Sequence, residues 1–177
     1  MESERVTKGD AIRAAVLTIS DRCSRGETPD LSGPVLVARL RDGLAAVVVA
    51  TMCVPDETER IRERVGAWSR ADASIDLIVT TGGTGFAPRD VTPEAVRTLL
   101  EREAPGLMEL ARHRCLAKTP LTFLSRGVAG TIGQTLVITL PGSPRGATEQ
   151  FDAIIDVLPH AISTLRDLHT DGIHQGA

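Results

Sequence analysis

Aromatic side chains are scarce: the chain has no tyrosine, one tryptophan and three phenylalanines among 177 residues. It therefore offers no stacking platform for unpaired bases. An excess of charge of one sign is missing too, since 20 Lys and Arg stand against 23 Asp and Glu for a net charge of −3. With the basic residues scattered, there is no electrostatic footprint for nucleic acid or a membrane surface, and neither partner is expected. The three cysteines, Cys23, Cys53 and Cys115, lie far apart and form neither a disulfide framework nor a paired metal spacing. A reducing, cytoplasmic setting fits them. No apolar run approaches the roughly eighteen residues that read as a membrane span, and the polar start MESERVTKGD lacks the apolar segment of a signal peptide.

What is present suffices for a core. Hydrophobic residues make up 42% of the chain, and the length suits one domain over 13–169, between a mobile N-terminal tail at 1–12 and a C-terminal tail at 170–177. From Arg13 onward strand-like and helix-like patterns alternate, which predicts an α/β fold with a mostly parallel sheet covered by helices on both faces. Strands are expected at Ala14 to Ile19, Ala45 to Val54, Asp76 to Thr81 and Thr135 to Leu140. Ser20 to Ser32 reads as a loop, followed by a helix from Gly33-Pro34 to about Asp42. Asp56-Glu57-Thr58-Glu59 resembles a capping box, so the next helix is expected to start at Asp56 and bury Ile61, Val65 and Trp68. A helix from Thr92 to about Arg102 breaks at Pro105-Gly106, and another runs to about Ala117. Residues 118–134 read as irregular. A closing helical region carries Phe151, Ile154, Ile155, Leu158, Ile162 and Leu165, with a break at Pro159.

The most informative stretch is TTGGTGFAPRDVTPEA, Thr80 to Ala95. Gly82, Gly83 and Gly85 follow a buried strand and permit backbone conformations in which successive N–H groups converge on an anion. Thr92 as N-cap, Pro93 in the first turn and Glu94 at the positive helix end then start a helix. A P-loop would need lysine and Ser/Thr after its last glycine, whereas Phe86 and Ala87 follow Gly85. A dinucleotide fingerprint would need a glycine where Pro88 stands. Three further segments, Ser20-Asp21-Arg22, Val54-Pro55-Asp56 and Pro141-Gly142-Ser143-Pro144, also follow strands. Right-handed crossovers place all of them on one edge of a parallel sheet, where α/β proteins bind ligands.

These segments, together with LTISD at 17–21, VPDETERI at 54–61, LSRGVAG at 124–130 and LPGSPRGA at 140–147, closely resemble the molybdopterin adenylyltransferase family of MogA/MoaB type, which includes the amino-terminal G domains of gephyrin. The resemblance covers about Ala14 to Asp167. It implies a three-layer α/β/α fold, a homotrimer, and transfer of AMP from ATP, with Mg²⁺, to the terminal phosphate of molybdopterin, releasing pyrophosphate. The product would pass to a separate molybdenum insertase protein. Two other readings stay open: a non-catalytic trimeric molybdopterin carrier or scaffold, and a MoaB-type paralogue serving molybdenum or tungsten cofactor.

The resemblance implies Asp56 and Asp90 as catalytic carboxylates and candidate Mg²⁺ ligands. Each has a plainer alternative, Asp56 as the N-cap of its helix and Asp90 as a surface ion pair with Arg89. Gly82, Gly83, Thr84 and Gly85 are expected to supply donors to the ligand, with Ser20, Asp21 and Ser125 beside them and Pro141, Gly142 and Ser143 as a second wall. Ser and Asp at such positions also stabilise turns, and Pro-Gly is first a turn dipeptide. Cys23 is placed near the dithiolene or is simply a small loop residue. His113, His160, His169 and His174 lie outside the expected loops and are assigned solvated or packing roles.

Overall fold

The computed structural model describes residues 11–166. Both expected tails lie almost wholly outside that span, although Ile12, assigned to the first tail, is buried and its carbonyl accepts a hydrogen bond from Val47 N–H. Six strands form one sheet in the order β2-β1-β3-β6-β5-β4. They are β1 (Arg13–Ile19), β2 (Val47–Val54), β3 (Leu77–Thr81), β4 (Arg102–Glu103), β5 (Ala129–Ile132) and β6 (Thr135–Leu140). β2, β1, β3 and β6 run parallel, while β5 and β4 add an antiparallel edge.

The period of two along β1 builds both cores. Ala14 and Val16 face one cluster, in which α2 (Ser32–Leu44) contributes Leu36 and Leu40, α5 (Pro105–Cys115) Met108 and Ala111, α6 (Pro144–Asp152) Phe151, and α7 (Leu158–Leu165) Leu158 and Ile162. Ala15, Leu17 and Ile19 face the other, where α3 (Thr58–Trp68) buries Ile61, Val65 and Trp68 and α4 (Thr92–Arg97) buries Ala95 and Val96. Side chains alternate across a strand, so one sheet serves two helical layers. The three-layer α/β/α fold and mostly parallel sheet are as expected.

Several boundaries differ from the sequence-based expectation, each for a physical reason. Part of the 20–32 loop is α1 (Asp21–Ser24), nucleated because Ser20 Oγ accepts the Cys23 N–H at 3.3 Å. Asp30, just before α2, ties its first turn to β1, its carboxylate accepting from Gly33 N–H at 2.9 Å and Thr18 Oγ–H at 2.6 Å. Ala45, expected to open β2, instead ends α2 in the left-handed region at φ 49°. Asp76, expected in β3, precedes it and accepts from Arg13 N–H at 2.7 Å. The helix expected from Thr92 to Arg102 stops at Arg97, and Arg102–Glu103 pairs with β5 as an exposed strand. Residues 118–134 are not irregular: they hold a 3₁₀ turn at Pro120–Leu124 and β5. The closing helix is two, broken before Pro159, which sits in the first turn of α7. None of the described helices is long and apolar enough to cross a membrane.

Candidate functional site

The loops after β1, β2, β3 and β6 meet at the carboxyl edge of the sheet. Gly82, at φ +113°, passes so close to β1 that an added Cβ would lie 2.1 Å from Ile19 O, while the Cβ position of Gly142 lies 3.1 Å from Gly82 Cα. Thr81 Oγ1 donates to Pro141 O at 2.7 Å, and Gly82 N–H donates to Leu140 O at 3.1 Å. Glycine at these crossings lets three backbones approach within contact distance.

Beside them lies a cavity of about 660 Å³ whose walls include Gly83, Thr84, Gly85, Asp90, Ser125, Pro141, Gly142 and Ser143. The structure thus brings together eight of the twelve candidate residues. Ser125 Oγ donates to Thr84 Oγ1 at 3.3 Å, joining the segment before β5 to the glycine loop. Ser143 caps α6, its Oγ accepting from Gly146 N–H at 3.1 Å. Gly82 serves the close approach and does not line the cavity.

Ser20, Asp21 and Asp56 stand on the far side of the glycine loop. Ser20 is the cap of α1, its hydroxyl already engaged. Asp21 and Asp56 exchange hydrogen bonds: Asp21 N–H donates to Asp56 Oδ2 at 2.8 Å and Asp56 N–H to Asp21 Oδ1 at 3.1 Å. The expected capping role of Asp56 is therefore not formed, since α3 begins at Thr58 and its flanking residue, Glu57, makes no side-chain cap. The plainer alternative for Asp90, a pair with Arg89, is absent as well. Arg89 instead forks onto Asp21, Nε at 3.0 Å and Nη2 at 2.7 Å, and the Asp90 carboxylate accepts from Ala87 N–H at 2.8 Å. A bidentate carboxylate outcompetes a sequence neighbour that the turn has already engaged.

Two carboxylates crowd the glycines, Asp56 from the loop after β2 and Asp90 from within the glycine loop itself. An added Cβ on Gly83, at φ +62°, would lie 3.1 Å from Asp56 Oδ1, and one on Gly85 would lie 2.8 Å from Asp90 Oδ2. Burial pushes the Asp56 carboxyl above its ordinary pKa, and the neighbouring charges of Asp21 and Asp90 push the same way, against the Asp21 N–H bond and Arg89. At Asp21, desolvation also raises the pKa, but the Arg89 hydrogen bonds and the Asp56 N–H outweigh it and hold the group below the ordinary carboxylate value. Partial burial of Asp56, more than its charged neighbours, thus disfavours its ionised form.

Sequence reasoning missed several cavity residues. Lys118, Leu121, Thr122, Leu124, Arg145 and Gln150 come from the stretch after α5, the 3₁₀ turn and α6; apart from Arg145, which falls in the LPGSPRGA segment, they carry no glycine signature. Gln150 is buried, with Nε2 donating to Thr122 Oγ1 at 3.0 Å and Oε1 left without a protein partner. Cys23 does not reach the cavity; it sits beside Cys53, whose thiol burial and the Cys23 hydrogen bond push up to about 12. His113 packs edge-on against Phe123 at 5.8 Å and takes no part in the cavity, in line with its assigned packing role. His169 and His174 lie outside the described residues.

The fold and site define a three-layer α/β/α protein with a glycine-loop cavity, flanked by carboxylates, at the carboxyl ends of its parallel strands. Residues 15–160 match the family model described as a probable molybdopterin binding domain. The chain belongs to that family. It is 36% identical over 155 residues to the molybdopterin adenylyltransferase of Helicobacter pylori strain J99, covering 87% of this chain and 88% of that protein. It is 42% identical over 158 residues to the molybdenum cofactor synthesis protein cinnamon of Drosophila melanogaster, covering 89% of this chain and 26% of the relative. Among solved structures, the molybdopterin biosynthesis enzyme MoaB of Thermus thermophilus superposes with a TM-score of 0.83 at 48% identity, covering 88% of this chain and 97% of that one. The chain spans about a quarter to a half of the length of the longer curated relatives it matches.

Proposed function

We propose that this protein is a molybdopterin adenylyltransferase, moving AMP from ATP onto the terminal phosphate of molybdopterin with release of pyrophosphate. One observation carries the reading: Asp56, from the loop after β2, and Asp90, from the glycine loop itself, close on Gly83 and Gly85, which line a ligand-sized cavity. Free N–H groups of the glycine loop would hold phosphate, and Asp56 and Asp90 would hold a Mg²⁺ brought with the ATP, whose charge would favour departure of pyrophosphate. Mg²⁺ binds through one or two carboxylates plus substrate phosphates, so a pair suffices, and no cluster of three or more ligating side chains occurs among the described residues.

A molybdopterin phosphate oxygen attacks the ATP α-phosphate in line, the bond to the bridging oxygen breaks, and no side-chain nucleophile is required. The chain's task is positioning and electrostatics. The protein acts as a homotrimer in the cytoplasm, and its product passes to a molybdenum insertase.

Purified protein mixed with molybdopterin, Mg²⁺ and ATP tests the reading. Pyrophosphate and adenylylated molybdopterin should form, and Asp90→Ala should lose about 100-fold or more in kcat, the range for removing one electrostatic stabiliser. Tight molybdopterin binding with no product would make the protein a carrier or scaffold instead.

A further inference from the structure

Three carbonyls of the glycine loop turn toward one residue on another connection. Arg126 donates its backbone N–H to Thr84 O at 2.9 Å, its Nε–H to Gly85 O at 2.6 Å and its Nη2–H to Asp90 O at 2.5 Å. Its Nη1 pairs with Glu94 in the first turn of α4, and its guanidinium carbon lies 5.9 Å from the Phe86 ring centroid. Arg112 fixes both neighbours of Arg126, donating to Ser125 O at 3.2 Å and to Gly127 O at 3.0 Å. One side chain therefore spans the loop from Gly85 to Asp90 and ties it to the helix that follows.

The described chain contains no cis peptide. In a trans peptide the carbonyl of one residue and the N–H of the next point in opposite directions. Drawing the carbonyls of Thr84, Gly85 and Asp90 toward Arg126 turns the N–H groups of Gly85, Phe86 and Val91 away from it. Those three N–H groups, and those of Gly83 and Thr84, donate to no protein group among the described residues. We infer that Arg126 is a positioning residue for phosphate binding, which holds the glycine loop with its free N–H groups preset for a phosphoryl oxygen. Its charge is already committed to Glu94, so it contributes geometry rather than attraction. A lysine, with a single point charge and no fork, can satisfy one of these acceptors but not span them.

The inference rests on the cavity being the phosphate site. Arg126→Lys keeps the charge and tests the fork. Relative to wild type it should bind ATP·Mg²⁺ about 10-fold more weakly by calorimetry and turn over about 10- to 100-fold more slowly, the scale of a loop misplaced by about an ångström. Amide hydrogen exchange should accelerate about 10-fold or more at 83–91 while β1 and β3 keep their protection. Unchanged ATP affinity and unchanged loop exchange would overturn the assignment, as would acceleration spread evenly over the sheet, the mark of a merely structural residue. If Arg126→Lys does not fold, Glu94→Gln, which loosens the fork at one prong, should still speed exchange of the loop by about threefold; no change there would also overturn it. A wild type that binds ATP without transferring AMP sinks the adenylyltransferase reading and leaves this one intact. A wild type that binds neither ATP nor inorganic pyrophosphate sinks both.

Discussion

At the scale of single residues the informative group is Asp56. Desolvation raises its pKa, and Asp21 and Asp90 add to the rise, so on the proposed chemistry the acid limb of kcat/KM should lie above the ordinary aspartate value of about 3.9. Asp90→Asn removes one of the raising charges, and the limb should move to lower pH; a limb that stays put would show that Asp56 is not the group titrating. The sign for stability is the reverse of the familiar salt-bridged carboxylate. Between the ordinary value and the raised one the native state binds more protons than the unfolded chain, so this group's contribution falls as pH rises through that window. Asp56→Asn should therefore gain on wild type in urea unfolding as pH rises from about 4. Gly83 is a second sensitive point. Alanine there must hold a left-handed φ of +62° with its Cβ 2.3 Å from Thr92 Oγ1, costing about 1–2 kcal/mol for the backbone alone. It also pushes on Asp56, so thermal melts should show the loss and transfer activity should fall further than stability explains.

At the scale of elements, the antiparallel edge is held by close approach. Gly130 in β5 lies against β4, where an added Cβ would meet Arg102 O at 2.4 Å and Leu100 Cδ1 at 2.8 Å. Gly130→Ala should force the strands apart at about 1–3 kcal/mol, lowering the melting temperature by about 2–4 °C for each kcal/mol; an unchanged melt would mean that the edge is plastic. This is also the region the sequence reveals least. β1, β3 and β6 are buried on both faces and show as continuous apolar runs, but β4 is two exposed charged residues and β5 is the short string Ala-Gly-Thr-Ile, with no period to detect. Asp56-Glu57-Thr58-Glu59 has the spacing of a capping box, yet tertiary pairing with Asp21 claims the Asp56 carboxylate before the helix can. The glycine loop was legible because its requirement is local: positive φ at Gly82 and Gly83. The roles of Arg126 and Gln150 were not, because each is defined by a partner 28 or more residues away.

At the scale of the whole molecule the parallel sheet separates two tasks by its two edges. Carboxyl ends carry the glycine loop and both candidate carboxylates, and amino ends carry a staple that ties distant parts of the chain together. There Asp76 accepts from Arg13 N–H at 2.7 Å and pairs with Arg166, whose guanidinium also donates to Ala11 O at 3.0 Å. The pair is largely buried, with 18% of the Arg166 side chain and 14% of the Asp76 side chain exposed. Asp76→Asn removes a charged partner from a partly desolvated guanidinium, and charge-assisted bonds of this kind contribute about 1.5–3 kcal/mol. The variant should melt lower by several degrees at that cost. Because β3 joins Asp76 to the glycine loop along its whole length, the opposite outcome is informative: were the sheet a compliant spring, loosening one end would detune the other. A close-packed interior transmits little of such a change short of unfolding, so at a temperature well below the melt Asp76→Asn should keep its KM for ATP and its kcat within about twofold of wild type. A variant that kept its melting temperature but lost activity would place the staple in the site's mechanics and contradict this division.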